Sequence, residues 1–270
     1  MKKKSLLILC FVLACVSSAY AGQFRPAMPS QFGNSSPERF YDAGNCTVRS
    51  FTNPDTFSCC VHVIRSDGGN ILVDPGYYGG ELKDYVKSIG GVDFVLLSHC
   101  HVDHIIGLDA LKRDYPDAKI YIGTSDLEGL YNTYINYSFE RVISEPFVIE
   151  CEVLPVYEGT YNLAGNSIKV IPAAGHSPGS SLYYFEDSGL LFAGDSVAFG
   201  GIPRYDLPNS SVPGIFESLM RIKNLSLPPS AEIFFGHGEH MKYSDMISTY
   251  KIFTEPLDFY VKLQDGTSCR

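Results

Sequence analysis

The chain has 270 residues, 45% of them apolar, with 21 basic against 30 acidic side chains. That length buries one sizeable core and leaves little for a second, and the acidic balance excludes the basic surface that nucleic acid requires. After the N-terminus no segment approaches the roughly 20 apolar residues of a membrane-spanning helix.

Lys2, Lys3 and Lys4 precede an apolar run from Leu6 to Val16, and small residues lead to Ala19-Tyr20-Ala21. This order of charge, apolar run and Ala-x-Ala site predicts a cleavable export signal over residues 1–21. A competing reading takes Leu13-Ala14-Cys15 as a lipoprotein site. Either one sends the protein out of the cytoplasm, into the periplasm if the host is bacterial. Cleavage after Ala21 leaves 18 basic residues against 30 acidic ones. It also leaves Cys46, Cys59, Cys60, Cys100, Cys151 and Cys269 to meet an oxidising compartment, as disulfides or as buried thiols. Asn34, Asn45, Asn136, Asn209 and Asn224 each open an Asn-x-Ser/Thr sequon, which favours a eukaryotic secretory route over chance in a Ser-rich chain.

Residues 22–56 are rich in Pro, Ser, Asn and Gly and read as a surface arm leading into a domain over 57–270. Strands are expected at 58–65 and 71–73 about the turn Asp67-Gly68-Gly69-Asn70. A helix follows at 81–89, a buried strand at 92–97, a helix at 107–115 and a strand at 119–122. Residues 124–139 read as a helix, 167–173 as a strand, and 181–185 with 189–193 as a hairpin. The last elements are a helix at 212–224, a strand at 232–235 and a helix at 241–260. Strands and helices mix through both halves, so the class is layered, α/β or α+β.

The chemistry concentrates in Ser98-His99-Cys100-His101-Val102-Asp103-His104, directly after the buried strand ending at Leu97. Three imidazoles and a carboxylate in six residues make poor core, whereas a metal ion needs several neutral imidazoles and an anion converging on one point. His176 in Gly175-His176-Ser177-Pro178-Gly179, Asp195 in Gly194-Asp195-Ser196 and His237 in Gly236-His237-Gly238 each follow another apolar strand. Four strand ends deliver ligand-type residues, and one shared site accounts for all of them.

The pattern His-x-His-x-Asp-His, then a lone His, an Asp and a final His, resembles the metallo-β-lactamase superfamily over about three quarters of the mature chain. That resemblance implies an α+β four-layer αββα sandwich with the site at one edge of the paired sheets. It implies one metal ion on His99, His101 and His176 and a second on Asp103, His104 and His237, with Asp195 bridging. It also places Asp74, in the Asp74-Pro75-Gly76 turn, behind the ligands, where a carboxylate fixes an imidazole's tautomer. Turn formation alone is the other reading of Asp74. Two divalent ions are expected, Zn2+ first, with Fe or Mn accepted by the same donors. They would activate a water as the nucleophile, with Asp103 and Asp195 as the catalytic carboxylates.

Within the superfamily, Asp195 argues against the true zinc β-lactamases, which use another residue type at that position. Asp195 together with Gly175-His176-Ser177-Pro178-Gly179-Ser180 is more similar to glyoxalase II and the lactonases. The expected substrate is therefore a small ester, thioester or lactone. A glutathione thioesterase is doubtful, because only about 33 residues follow His237 where glyoxalase II carries a helical glutathione site. Two other readings stand beside this one, a mononuclear iron sulfur dioxygenase and a secreted metal-binding module without turnover.

Tyr77, Tyr78, Phe199, Ile202 and Tyr205 follow the Asp74 and Asp195 turns and could wall an acyl pocket, or simply pack. Tyr131, Tyr134 and Tyr137, spaced by three, fit a helix face against the core. Cys100 is expected to be buried and inert, His62 to be structural, and His240 to start the last helix. No sequence feature sets an oligomeric state.

Overall fold

The computed structural model describes residues 39–53, 58–138 and 146–255. Its strands are β1 (Arg39–Asp42), β2 (Cys46–Phe51), β3 (Val61–Ser66), β4 (Gly69–Val73), β5 (Phe94–Leu97), β6 (Lys119–Gly123), β7 (Leu154–Val156), β8 (Gly159–Leu163), β9 (Asn166–Pro172), β10 (Ser181–Phe185), β11 (Leu190–Gly194), β12 (Glu232–Phe235) and β13 (Met241–Lys242). The helices are α1 (Gly80–Ser88), α2 (Val102–Ile105), α3 (Leu108–Asp114), α4 (Val212–Lys223), α5 (Tyr243–Thr249) and α6 (Lys251–Thr254). The export signal, Asn34, Cys269 and residues 256–260 of the expected last helix lie outside the described residues.

Two sheets divide the chain. One runs β1-β2-β3-β4-β5-β6-β7 and the other β13-β12-β11-β10-β9-β8. In the first sheet β4, β5, β6 and β7 are parallel, as are β11 and β12 in the second. Side chains alternate across a strand, and the alternation here separates three apolar layers. Val63, Leu72, Val95 and Leu97 face Leu82, Val86, Leu108 and Leu111 of α1 and α3. Ile64, Ile71, Val73 and Leu96 face Ile168, Val170, Phe185, Leu190, Phe192 and Phe234 between the sheets. Leu182, Leu191, Ala193, Ile233 and Phe235 face Ile215, Leu219, Ile222, Met246 and Phe253 of α4, α5 and α6. Three interlayers require four layers, and the order is the expected αββα.

The region read as an arm is corrected over 39–51, where β1 and β2 are the outer strands of the first sheet. Cys46 and Val48 enter the inter-sheet core and Phe51 the helix-side core, so this stretch belongs to the domain. The expected helix at 124–139 is likewise absent from its described part. Two 3-10 turns, Thr124–Asp126 and Glu128–Tyr131, precede irregular chain. There Asn132 and Asn136 accept from Tyr134 N–H and Ser138 N–H, local bonds that compete with the helix ladder. Tyr131 and Tyr134 are exposed, and Tyr137 has φ of 64°, so the three tyrosines share no helix face. The terminal helix breaks after Thr249, where Ser248 and Thr249 hydroxyls donate to the Asp245 carbonyl.

Candidate metal centre

Several strands of both sheets end beside one another, and each of these ends delivers polar side chains. β4 runs into Asp74 and β5 into Ser98-His99-Cys100-His101, after which α2 carries Asp103 and His104. The second sheet adds His176 after β9, Asp195 after β11 and His237 after β12. His99, His101, His104 and His176 are at most 3% exposed and Asp103 9%, whereas the Asp195 and His237 side chains are 20% and 27% exposed. The cluster is therefore closed on the first-sheet side and open past Asp195 and His237.

Three groups of donor atoms converge, each within 4.8 Å: His99 with His101 and His176, Asp103 with His104 and His237, and His99 with His104 and Asp195. Asp195 adjoins both halves of the cluster. One of its oxygens lies 3.5 Å from His104 Nε2 and the other 3.6 Å from both His176 Nε2 and His237 Nε2. Gly236 makes this approach possible, because a Cβ there would overlap the Asp195 carboxylate and the His104 ring.

Hydrogen bonds behind the rings set which nitrogens face the centre. His104 Nδ1–H donates to Asp74 Oδ2 at 2.9 Å. Ser98 Oγ–H donates to the same oxygen at 2.6 Å and accepts from His99 Nδ1–H at 3.0 Å, so Asp74 orients both rings. Ser98 N–H holds the other Asp74 oxygen at 2.6 Å. Asp74 sits at φ of 55°, a left-handed conformation that aspartate tolerates, and is 1% exposed. His176 Nδ1–H donates to the Arg204 carbonyl at 2.9 Å, turning Nε2 inward, and His101 Nδ1 faces that Nε2 at 3.0 Å.

The Nε2 atoms of His99, His101 and His104 are buried without a hydrogen-bond partner. Buried polar atoms are ordinarily satisfied. Orphaned imidazole nitrogens within groups whose donor atoms lie within 4.8 Å of one another, beside two carboxylates, are what divalent-ion coordination requires, so these residues fit a metal centre.

Electrostatics divide the cluster. Burial, with the neighbouring imidazoles, holds His99 well below the usual histidine range and lowers His101 to about 3, and burial also lowers His176. Burial opposes charge at His104 too, but Cys59, Asp74, Asp103 and Asp195 outweigh it and raise that ring well above its ordinary value. Asp195 and Asp103 likewise raise His237 against burial. Burial is overcome at both carboxylates as well: His104 and His237 lower Asp103 to about 2 and, with His176, hold Asp195 well below the carboxylate range.

The five pocket candidates part company. Tyr78 donates its hydroxyl to Asp114 at 3.2 Å, beside Lys83, and Tyr77 packs on the helix-side core. Phe199 packs edge-on against Phe235 and stands over Gly238, next to His237. Ile202 lies against the second core, and Tyr205 is 40% exposed. Phe199, Ile202 and Tyr205 thus share the loop whose Arg204 carbonyl holds His176, while Tyr77 and Tyr78 line the other layer.

Other expectations resolve simply. Cys100 is fully buried in the helix-side core, where burial and Asp126 push its thiol well above the ordinary range. His62 lies within bonding distance of Ser50 Oγ and the Phe235 carbonyl, and His240 stacks on Phe234 before β13. Cys46, Cys59, Cys100 and Cys151 are free thiols, and Cys60 Sγ–H donates to the Gly238 carbonyl at 3.4 Å. Sequence reasoning missed Ser98, Arg204 and Asp126 as supports of the ligands. Asp126 follows the end of β6, the same strand-end signal that marked the others.

Residues 54–237 match the family described as the metallo-beta-lactamase superfamily. A probable metallo-hydrolase of Bacillus subtilis, YqgX, is 30% identical over 178 residues, covering 66% of this chain and 83% of the relative. A hydroxyacylglutathione hydrolase of Prochlorococcus marinus is 26% identical over 211 residues, covering 73% and 74%. The crystal structure of the B3 metallo-beta-lactamase BLEG-1 superimposes with a TM-score of 0.68 at 25% identity, covering 77% of this chain and 99% of that one. The chain belongs to the metallo-β-lactamase superfamily, a fold family of metal-dependent hydrolases.

Proposed function

We propose that this protein is an exported hydrolase that holds two divalent ions, Zn2+ first among them, and cleaves an ester, thioester or lactone bond of a small substrate. The observation that carries the reading is the position of Asp195, with one oxygen toward His104 and the other toward His176 and His237. A carboxylate shared in this way suits a bridge between two ions, one on His99, His101 and His176 and the other on Asp103, His104 and His237.

Ions held there would supply Lewis acidity, polarising a substrate carbonyl and bringing the pKa of a water toward neutrality. The chain's own residues do the rest. Asp103, kept ionised beside His237, accepts a hydrogen bond from the attacking water and orients it. Asp74 and the Arg204 carbonyl keep His104 and His176 in the tautomers that present Nε2. The opening past Asp195 and His237 admits the substrate, and Phe199 beside it offers an apolar wall. Export rests on the lysine-led apolar leader, and an N-terminus at Gly22 in the mature protein is the check.

The deciding experiment pairs elemental analysis of the purified mature protein with hydrolysis assays on esters, thioesters, lactones and a β-lactam. Near two zinc ions per chain, fewer in Asp195→Ala, together with turnover of an acyl substrate support the reading. One iron per chain with oxygen-dependent sulfur oxidation overturns it, and turnover of the β-lactam alone moves the substrate class.

A further inference from the structure

Asp126 belongs to none of the three donor groups, yet it touches both loops that carry the first of them. Its residue is fully buried, and its carboxylate accepts three bonds. Oδ2 takes Cys100 N–H at 3.0 Å and Ser177 Oγ–H at 2.6 Å, while Oδ1 takes Gly179 N–H at 2.6 Å. Cys100 is the residue between His99 and His101, and Ser177 follows His176. One carboxylate therefore ties the first-sheet ligand loop to the second-sheet ligand loop.

The fit is close on every side. A Cβ on Gly179 would run into Asp126, so the loop passes as near as a glycine allows. Ser177 is itself set by Ser180, whose Oγ lies 2.7 Å from Ser177 Oγ and accepts Ser177 N–H at 3.1 Å. No cation pairs with Asp126 among the described residues. A buried carboxylate without a cation costs several kcal/mol unless its donors are fixed and positive charge lies close by. Ions held on His99, His101 and His176, one residue away from two of its donors, would provide that charge.

We propose that Asp126 is a positioning residue for the metal centre, clasping the loops of His99, His101 and His176 so that the three imidazoles are preset for one ion. The proposal rests on the metal reading given above. It differs from a role in general folding because it predicts a loss in ion affinity beyond any loss in stability.

The test is competition for Zn2+ between a chromogenic chelator and the mature protein, for wild type, Asp126→Asn and Ser177→Ala, with thermal unfolding of each metal-free protein in parallel. Supporting partners of metal ligands are typically worth about 10- to 100-fold in affinity. Asp126→Asn is expected to weaken Zn2+ binding on the order of 10-fold or more, and Ser177→Ala by less, because it keeps the bonds from Cys100 and Gly179. A brace that serves only the fold would lower the metal-free unfolding temperature and leave the affinity of the folded protein at the wild-type value, which overturns the proposal. Should Asp126→Asn fail to fold, Ser177→Ala decides by the same criterion. Wild-type protein that takes up no divalent ion sinks the metal reading and the clasp together. Wild-type uptake with unchanged uptake in both variants sinks the clasp alone.

Discussion

Asp74 and His104 form a buried pair, Oδ2 to Nδ1 at 2.9 Å, in which the carboxylate stands behind the ring and the ring's Nε2 faces the cluster. Asp74 also accepts two bonds from Ser98. An amide in its place offers one carbonyl oxygen to three donors. Asp74→Asn is therefore expected to weaken divalent-ion binding about 10- to 100-fold. Chelator competition reads this out, and retention of wild-type affinity would leave Asp74 as a turn former only.

Gly236→Ala puts a methyl group where the Asp195 carboxylate and the His104 ring already lie. The carboxylate must move, and a displacement of that kind costs on the order of 100-fold in turnover. The circular dichroism spectrum should stay native while ion stoichiometry and hydrolysis fall.

The metal-free protein should be most stable near pH 6.5, the ordinary histidine pKa, for reasons that work from both sides. His99, His101 and His176 have lowered values, so below that pH the unfolded chain binds protons the folded one refuses, and stability falls with falling pH. His104 and His237 have raised values, so above it the folded chain holds protons the unfolded one has released, and stability falls with rising pH. Thermal unfolding in chelator across pH 4 to 9 is the measurement, with the scan limits set about two to three units around that value. A monotonic profile contradicts this division of the cluster.

Phe192 tests the fold apart from the site. It is 1% exposed, stacks on Phe234 at 4.9 Å and meets Phe185 edge-on at 5.2 Å between the sheets. Phe192→Ala is expected to cost about 3–5 kcal/mol in urea unfolding, with ion affinity in the folded protein preserved.

The ligands were legible because they sit at the ends of apolar strands, where a run such as Phe94-Val95-Leu96-Leu97 gives way abruptly to His and Asp. Asp126 was not, since Thr124-Ser125-Asp126 looked like the start of a helix, and what breaks that helix is side-chain bonding from Asn132 and Asn136, which composition does not display. β2 was hidden by its setting. Cys46-Thr47-Val48 alternates properly, but averaging over a Pro- and Ser-rich stretch erased the period. Tyr78 misled for the opposite reason. Proximity in sequence to Asp74 says nothing about which side of the sheet a ring takes, and it took the side of Asp114.

The donor set is split between the sheets, with His99, His101, Asp103 and His104 on one and His176, Asp195 and His237 on the other. A chain emerging from its N-terminus completes the set only when residue 237 is available, after β12 has docked beside β11. An ion that needed all of these donors would bind only once both halves are joined in register, so ion uptake would report assembly of the two sheets.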